Sequence, residues 1–295
     1  MSYFAPLLYN SIMKLLTTIS SLREYLDAQR AAGKTVGLVP TMGALHEGHA
    51  SLVRRSVEEN DVTVVSVFLN PTQFNDPKDL ERYPRTLEAD CALLEGVGAQ
   101  AVFAPSVAEV YPEPDTRTFS YPPTDSVMEG AYRPGHFNGV CQIVSKLFDY
   151  VRPDRAYFGE KDFQQIAVIR RMVADLGLQL QIVPCPVIRE ASGLAMSSRN
   201  TLLTDEERTI AAAIYQTLRS SLEYAAAHSV EQTRQWVIDT INAVDGLEVQ
   251  YYSIVDGESL ADVTLWDESA HIVGCITVFC GSKPIRLIDH IAYKR

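Results

Sequence analysis

Several residue types are scarce in this sequence. Its 295 residues include five cysteines, and 26 Lys plus Arg stand against 37 Asp plus Glu, a formal net charge of −11. Cys91, Cys141, Cys185, Cys275 and Cys280 are odd in number, widely spaced and without a CxxC pair. They read as scattered reduced thiols of a cytoplasmic protein rather than a disulfide framework. The shortage of positive charge speaks against a general binder of nucleic acid or anionic membrane, so any polyanion site has to be a local concentration of donors. No uncharged apolar run reaches the ~18 residues of a membrane helix. Residues 3–13 are apolar, but they lack a basic flank, contain Pro6 and precede no small-residue cleavage site. That argues against a signal peptide. Met13-Lys14 reads as an alternative start, which makes residues 1–12 an extension.

The composition is otherwise that of a globular chain. With 46% hydrophobic residues, 21% charged residues and a mean hydropathy of −0.03, wholesale disorder is excluded. A chain this long buries roughly three quarters of its unfolded surface and needs no disulfide or metal staple.

Strand-like and helix-like segments alternate through the first two thirds. Apolar runs at 36–39, 62–69, 101–104, 156–158 and 180–183 are near-continuous rather than alternating, as in a parallel sheet covered on both faces. Val140, Val144, Leu147, Phe148 and Val151 share a helical face, and so do Gln165, Ile169, Met172, Val173 and Leu176. Asp162 with Gln165 predicts a helix beginning at Asp162. The character changes near residue 200. Thr204 with Glu207 and Ser229 with Gln232 read as capping boxes of two helices, followed by strand-like pieces at 247–255, 271–279 and 284–288. The expectation is an α/β fold: a Rossmann-like, doubly wound parallel-sheet domain over residues 13–200 and a smaller α+β domain over 201–295. Ligands of such sheets sit beyond the carboxyl ends of the strands.

Five segments carry candidate chemistry. In PTMGALHEGH (40–49), Gly43 and Gly48 allow close backbone approach, and His46 and His49 share a helical face beside amides that favour phosphate. Two imidazoles there add donors to developing negative charge. The same residues also read as a plain strand–turn–helix with two exposed histidines. A zinc site fits less well, because the zincin motif needs its histidines four apart on a continuous helix. In NPTQF (70–74), Gln73 offers a donor and an acceptor suited to a carboxylate or hydroxyl, although Asn-Pro also simply marks a turn. In GEKDFQQ (159–165), Lys161 meets a phosphate and Gln165 faces the same crevice, or Asp162 merely caps and Lys161 is solvated. Ser197, Ser198 and Arg199 in LAMSSRN (194–200) suit a polyphosphate clasp or a polar interdomain linker. RPGHFNG (133–139) suits a gating or phosphate loop, or a turn before a helix.

Together, PTMGALHEGH, NPTQF with the following YPRT, RPGHFNGV, FGEKDFQQ and GLAMSSRN resemble the pantoate–β-alanine ligase family, within the HxGH nucleotidyltransferase superfamily. The resemblance runs from about Met13 to the Arg286-Leu287-Ile288-Asp289 stretch. It implies ATP-dependent joining of pantoate to β-alanine through a pantoyl adenylate, with release of pyrophosphate and AMP. It implies His49, His46 and Lys161 as the catalytic residues, with His49 as the usual proton donor. ATP contacts are implied at Met42, Gly43, Ala44, Leu45, His46, Glu47, Gly48 and His49. Further ATP contacts fall at Gly159, Glu160, Lys161, Asp162 and Ile188, and at Met196, Ser197, Ser198 and Arg199. Pantoate and β-alanine fall to Pro40, Thr41, Met42, Gln73 and Gln165, and Mg²⁺ to the phosphates with Asp90 as the protein candidate. The resemblance also implies a cytoplasmic homodimer, with strand edges near 62–69 compatible with pairing. The C-terminal domain and residues 111–136 are the expected lids over an adenylate that water would destroy.

Two positions depart from the family pattern. Thr72 stands where Met is usual, and Ser192 where an acidic residue commonly precedes GLAMSSRN. The rival readings are a nucleotidyltransferase moving AMP onto a phosphate, a catalytically dead nucleotide-binding module and a zinc hydrolase. The first leaves two glutamines unexplained. The second sits poorly with the presence of His46, His49, Lys161 and Arg199, and the third lacks an evident third ligand.

Overall fold

The computed structural model describes residues 13–75 and 77–294. The extension read in residues 1–12 lies outside the described residues. The chain begins with β1 (Lys14–Leu16), α1 (Ile19–Ala31), β2 (Val36–Thr41), α2 (Glu47–Glu59) and β3 (Val62–Val67). A 3-10 turn at Pro71–Gln73 leads to α3 (Pro77–Arg82), α4 (Leu87–Gly96), β4 (Ala101–Phe103) and α5 (Val107–Val110). Next come α6 (Glu129–Tyr132), α7 (His136–Val151) and β5 (Arg155–Gly159), then a 3-10 turn at Glu160–Asp162, α8 (Phe163–Asp175) and β6 (Gln181–Cys185).

The six strands form one parallel sheet in the order β1-β4-β3-β2-β5-β6. Helices cover both faces, so Val62, Val64 and Val65 are all buried although neighbours in a strand point opposite ways. The long α7 buries twelve of its sixteen residues, polar Gln142 and Ser145 included, which makes it a core helix rather than a one-faced surface helix. The predicted apolar face of 140–151 is therefore only part of what it buries.

Strand order reverses between β2 and β5. The ladder between them holds only at Gly37–Leu38 against Arg155–Ala156, so the carboxyl ends of the two strands separate. This opens the crevice in which a doubly wound sheet holds its ligand. Into it project the segments that follow β2 and β5, which contain the HEGH and GEKD sequences.

The remainder is α9 (Asp205–Ala225), α10 (Val230–Asn242), β7 (Leu247–Asp256), β8 (Ile272–Cys280) and β9 (Ile285–Lys294). The strands form an antiparallel sheet, β7-β8-β9, with its own apolar core containing Ile214, Leu218, Val237, Ile254 and Ile276. Thr204/Glu207 and Ser229/Gln232 form the two expected capping boxes.

Four expectations are corrected. Helix α8 starts at Phe163, and Asp162 makes no capping hydrogen bond because it turns to Lys161 at 3.5 Å. Strand β9 continues to Lys294 rather than ending at 288, and β1 is a strand the sequence did not announce. Residues 62–67 lie between β2 and β4 in the middle of the sheet, so they offer no edge for subunit pairing.

Candidate active site

The segment after β2 is built around a buried carboxylate. Gly43 (φ +83°) and Ala44 (φ +51°) take left-handed conformations that turn the chain sharply. Asp90, 2% exposed on α4, accepts the backbone N–H groups of Ala44 at 3.0 Å and Leu45 at 2.8 Å and the Thr86 hydroxyl at 3.1 Å. Both of its oxygens are therefore committed to the loop. The sequence reading of Asp90 as a metal ligand gives way to a bracing role.

His46 is the N-cap of α2. Its Nδ1 accepts the Gly48 N–H at 3.1 Å, while His49 Nδ1 accepts the His46 backbone N–H at 3.4 Å, and the ring centroids are 4.2 Å apart. With each Nδ1 an acceptor, each neutral ring carries its proton on Nε2 and presents a hydrogen-bond donor there. A Cβ at residue 48 would lie 2.7 Å from His46 Cε1, so this ring position requires glycine. Burial lowers the His46 pKa to about 4, helped by the nearby Lys161 charge. Burial, then His46 and Lys161, lowers that of His49 to about 3. Both rings are neutral donors at physiological pH.

A cavity of about 160 Å³ gathers these histidines with the other predicted segments. Pro40 and Met42 enter from β2 and its turn, and Gly159, Lys161, Asp162 and Gln165 from the β5–α8 junction. Ile188, Met196, Ser197, Ser198 and Arg199 close the remaining side, and Gly48 completes the predicted set. The Ser198 hydroxyl donates to the Ala44 carbonyl at 2.9 Å and ties the late loop to the early one.

Other predicted residues stand outside this cavity. Ala44, Leu45 and Asp90 line a neighbouring one together with His46, Ser197 and Ser198. Thr41 is buried and donates to the Ser66 carbonyl at 2.6 Å, a strand-end contact. Glu47 pairs with Arg54 on the exposed side of α2, and Glu160 lines a separate cavity with His271 and Arg170. Gln73 reaches the rim, where its Nε2 lies 3.1 Å from Met42 Sδ and its Oε1 accepts from Asn70 at 3.1 Å.

The RPGHFNG segment opens α7 and supports the Gln73 turn. His136 Nδ1 lies 2.9 Å from the Gln73 carbonyl, and Asn70 Nδ2 donates to the Gly139 carbonyl at 3.1 Å. Thr72 is exposed, and its hydroxyl donates to Asn70 Oδ1 at 3.2 Å, so the departure from Met adds a tie on the Gln73 side. Exposed Ser192 accepts the Leu194 N–H at 3.4 Å within its turn.

Sequence reasoning missed several residues of this region. Tyr83 lines the histidine cavity. Asn200, 3% exposed, donates to the Ala195 carbonyl at 3.0 Å and to Glu190 at 2.8 Å, which anchors the Ser-rich loop. Asp79 pairs with Arg199 at 2.8 Å. Tyr83 had a signal in the YPRT stretch and Asn200 in LAMSSRN, whereas Asp79 meets Arg199 across 120 positions of sequence.

A strand-end crevice lined by two neutral N–H donors, a lysine, two serines and an arginine defines a nucleotide-using α/β enzyme of the HxGH kind. Comparison with known proteins narrows this class. The family model described as pantoate-beta-alanine ligase matches residues 14–292. The pantothenate synthetase of Bacteroides fragilis is 63% identical over 282 residues, covering 96% of this chain and 99% of the relative. That of Thermotoga petrophila is 44% identical, covering 94% and 99%. The crystal structure of the Thermus thermophilus pantothenate synthetase superposes with a TM-score of 0.89 at 42% identity, covering 96% of this chain and all of that one. A Francisella tularensis pantoate-beta-alanine ligase, solved with β,γ-ATP and β-alanine, gives 0.81 at 32% identity, covering 96% and 98%. The chain belongs to the pantoate–β-alanine ligase family of pantothenate-forming enzymes.

Proposed function

We infer that the crevice between β2 and β5 joins pantoate to β-alanine with ATP as the activating reagent, in two steps on one site. The pantoate carboxylate attacks the α-phosphorus, the bond to pyrophosphate breaks, and pantoyl adenylate forms. The β-alanine amine then attacks the activated carbonyl, loses a proton and expels AMP. Neither step needs a protein nucleophile; both need charge stabilised around phosphate and reactants held in line.

The observation that carries this reading is the pair of imidazoles whose Nδ1 atoms are both occupied by backbone amides. Their Nε2–H groups serve as fixed donors to phosphate oxygen as charge develops there. With its pKa near 3, His49 donates a hydrogen bond rather than a proton. Lys161 adds positive charge, and Ser197, Ser198 and Arg199 close over the polyphosphate. Met42, Gly159, Ile188 and Met196 line the nucleotide side of the histidine cavity, Gly43 turns the chain towards Ala44 and Leu45 in the neighbouring one, and Gln73 and Gln165 orient pantoate from two sides of the crevice.

Among the described residues no group of three or more His, Cys, Asp or Glu is placed to hold a metal ion. With Asp90 committed to backbone amides, the residues present do not fit a protein-held Mg²⁺, and no step is assigned to it. A metal that enters with ATP is held by phosphate oxygens.

Residues 13–200 supply this chemistry, and residues 201–295 cover it. Assembly as a homodimer in the cytoplasm completes the proposal. It is supported by the family resemblance, by five free thiols and by the lack, among the described residues, of any helix long and apolar enough to cross a membrane. The free edges of the large sheet are β1 and β6, and Leu15 on β1 is half exposed.

The test supplies purified protein with ATP, Mg²⁺ and pantoate, with and without β-alanine, and follows AMP, pyrophosphate and pantothenate. Pantothenate and AMP in equal amounts, both dependent on pantoate, are expected. ATP turnover indifferent to pantoate would refute the reading. Light scattering checks the dimer.

A further inference from the structure

The acidic end of α6 has no part in the substrate contacts assigned above, yet the Glu129 side chain is bonded to all three strands of the C-terminal sheet. Glu129 is 8% exposed. Its carboxylate takes both arms of the Arg286 guanidinium, from β9, at 2.6 Å each. It also accepts the Tyr251 hydroxyl at 2.8 Å and the Thr277 hydroxyl at 2.9 Å, from β7 and β8, and lies 3.6 Å from Arg133. All three strands of the C-terminal sheet thus converge on one carboxylate of the first domain. Burial alone would raise the Glu129 pKa, but Arg286, then Tyr251 and Arg133, hold it at about 2.

The other end of this connection reaches the substrate helix. The Glu129 backbone N–H donates to Gln164 Oε1 at 2.9 Å, and Gln164 Nε2 donates to the carbonyls of Thr124 at 2.9 Å and Val127 at 2.8 Å. Gln164 is 4% exposed and adjoins Gln165 in the first turn of α8. A second observation points to the same place. Met128, the residue before Glu129, has φ +45° and ψ −120°, a conformation disfavoured for any residue with a Cβ. It is buried against Val255, Leu260, Val273 and Cys275 of the C-terminal half. Strain of this kind persists only where the surroundings over-determine it, and it collects at functional clamps.

What this clamp shapes is a cavity of about 350 Å³ that shares Lys161 and Arg199 with the histidine site and is lined on its far side by Glu129, Arg133 and Arg286. We propose that Glu129 is a positioning residue that latches the C-terminal sheet, through Arg286, to the substrate helix, so that the acyl adenylate meets the amine before it meets water. The proposal rests on the ligase reading. A buried carboxylate with this many partners is costly when one is removed, and the geometry it fixes lies beside the reacting groups.

The experiment measures AMP and pantothenate in the same reaction, together with pantoate-dependent ATP–pyrophosphate exchange, for the full chain and for Glu129→Gln, Arg286→Lys and Tyr251→Phe. In the parent, AMP and pantothenate match. In Glu129→Gln the AMP unmatched by pantothenate should rise about tenfold over the parent's background, with exchange near the parent rate. Arg286→Lys, which keeps the charge and loses the fork, should fall between the two. Tyr251→Phe removes one hydroxyl, should give a rise of about threefold, and decides the matter if Glu129→Gln does not fold. If folded variants keep AMP and pantothenate matched, even at reduced rate, Glu129 is a structural ion pair only and the proposal is overturned. A parent that makes no pantothenate would refute the ligase reading itself, before any variant is compared.

Discussion

Arg199 donates from Nη2 to Asp79 Oδ2 at 2.8 Å, joining α3 to the Ser-rich loop across 120 positions of sequence. The arginine proposed to clasp the polyphosphate is thus already paired with a carboxylate of its own chain. ATP has to displace that carboxylate, and both side chains are partly exposed, so the pair is worth about 0–1 kcal/mol. Asp79→Asn is therefore expected to tighten ATP binding by about two- to fivefold and, by leaving Arg199 unopposed, to make that binding more salt-dependent. Calorimetric titration at two salt concentrations checks this. Weaker binding by the variant would show that α3, rather than the bare Arg199, holds the nucleotide.

The low pKa values of the paired histidines set a pH dependence. His46 and His136 sit at about 4 and His49 at about 3, each chiefly through burial, against an ordinary value of 6.5. Below 6.5 the unfolded chain takes up protons that the folded chain refuses. Stability is therefore full above about pH 6.5 and falls as pH drops through the window down to 4 and then 3. Denaturant midpoints at pH 7.5, 6 and 5 should decline in that order. The activity profile should show no histidine titration between pH 6 and 8. An imidazole NMR signal from His49 titrating near 6.5 would contradict the buried, amide-capped geometry.

His46 both caps α2 and faces the cavity, and the two roles separate by substitution. His46→Asn keeps a good N-cap residue, so the melting temperature should change little. The loss of the Nε2 donor should lower the adenylation rate by about 10²- to 10³-fold. Lys161→Ala should lose as much without touching a cap. Calorimetry and pyrophosphate release on the same samples check both. A variant that melts early and loses activity in proportion would mean that His46 acts only through the helix.

Much of this was legible in the sequence, for a physical reason. Runs such as 62–66 are buried on both faces, so composition alone marks them, and the capping boxes at Thr204 and Ser229 are local patterns. The HEGH and SSR segments carry chemistry in consecutive residues. What was not legible is long-range. Asp90 looks like a free carboxylate until Ala44 and Leu45 are seen donating to it. Asp79, Glu129 and Arg286 have no local signature, because each acquires its role from a partner more than a hundred residues away. The three-residue β1 is too short to show a period, and its strand state comes from pairing with β4.

A close packing of α7 against the Gln73 turn gives the last prediction. A Cβ on Gly139 would lie 2.3 Å from the Thr72 carbonyl oxygen, 2.5 Å from the Thr72 carbonyl carbon and 2.7 Å from Gln73 Cα. None of these atoms is the end of a flexible side chain. Gly139→Ala must therefore push the Pro71–Gln73 turn away from α7, and the turn carries the glutamine proposed to orient pantoate. The same displacement breaks the Asn70 bond to the Gly139 carbonyl and strains the His136 contact with the Gln73 carbonyl. A shift approaching 1 Å at a positioning group lowers rates by up to about 10²-fold. The expected result is a pantoate KM raised about tenfold or more, with ATP affinity unchanged, because the histidine cavity is braced separately through Asp90 and Ser198. Gly96→Ala is the control, since a Cβ there meets nothing within 4 Å. If both variants leave the pantoate KM unchanged, Gln73 does not hold pantoate, and Gln165 must orient the acid alone.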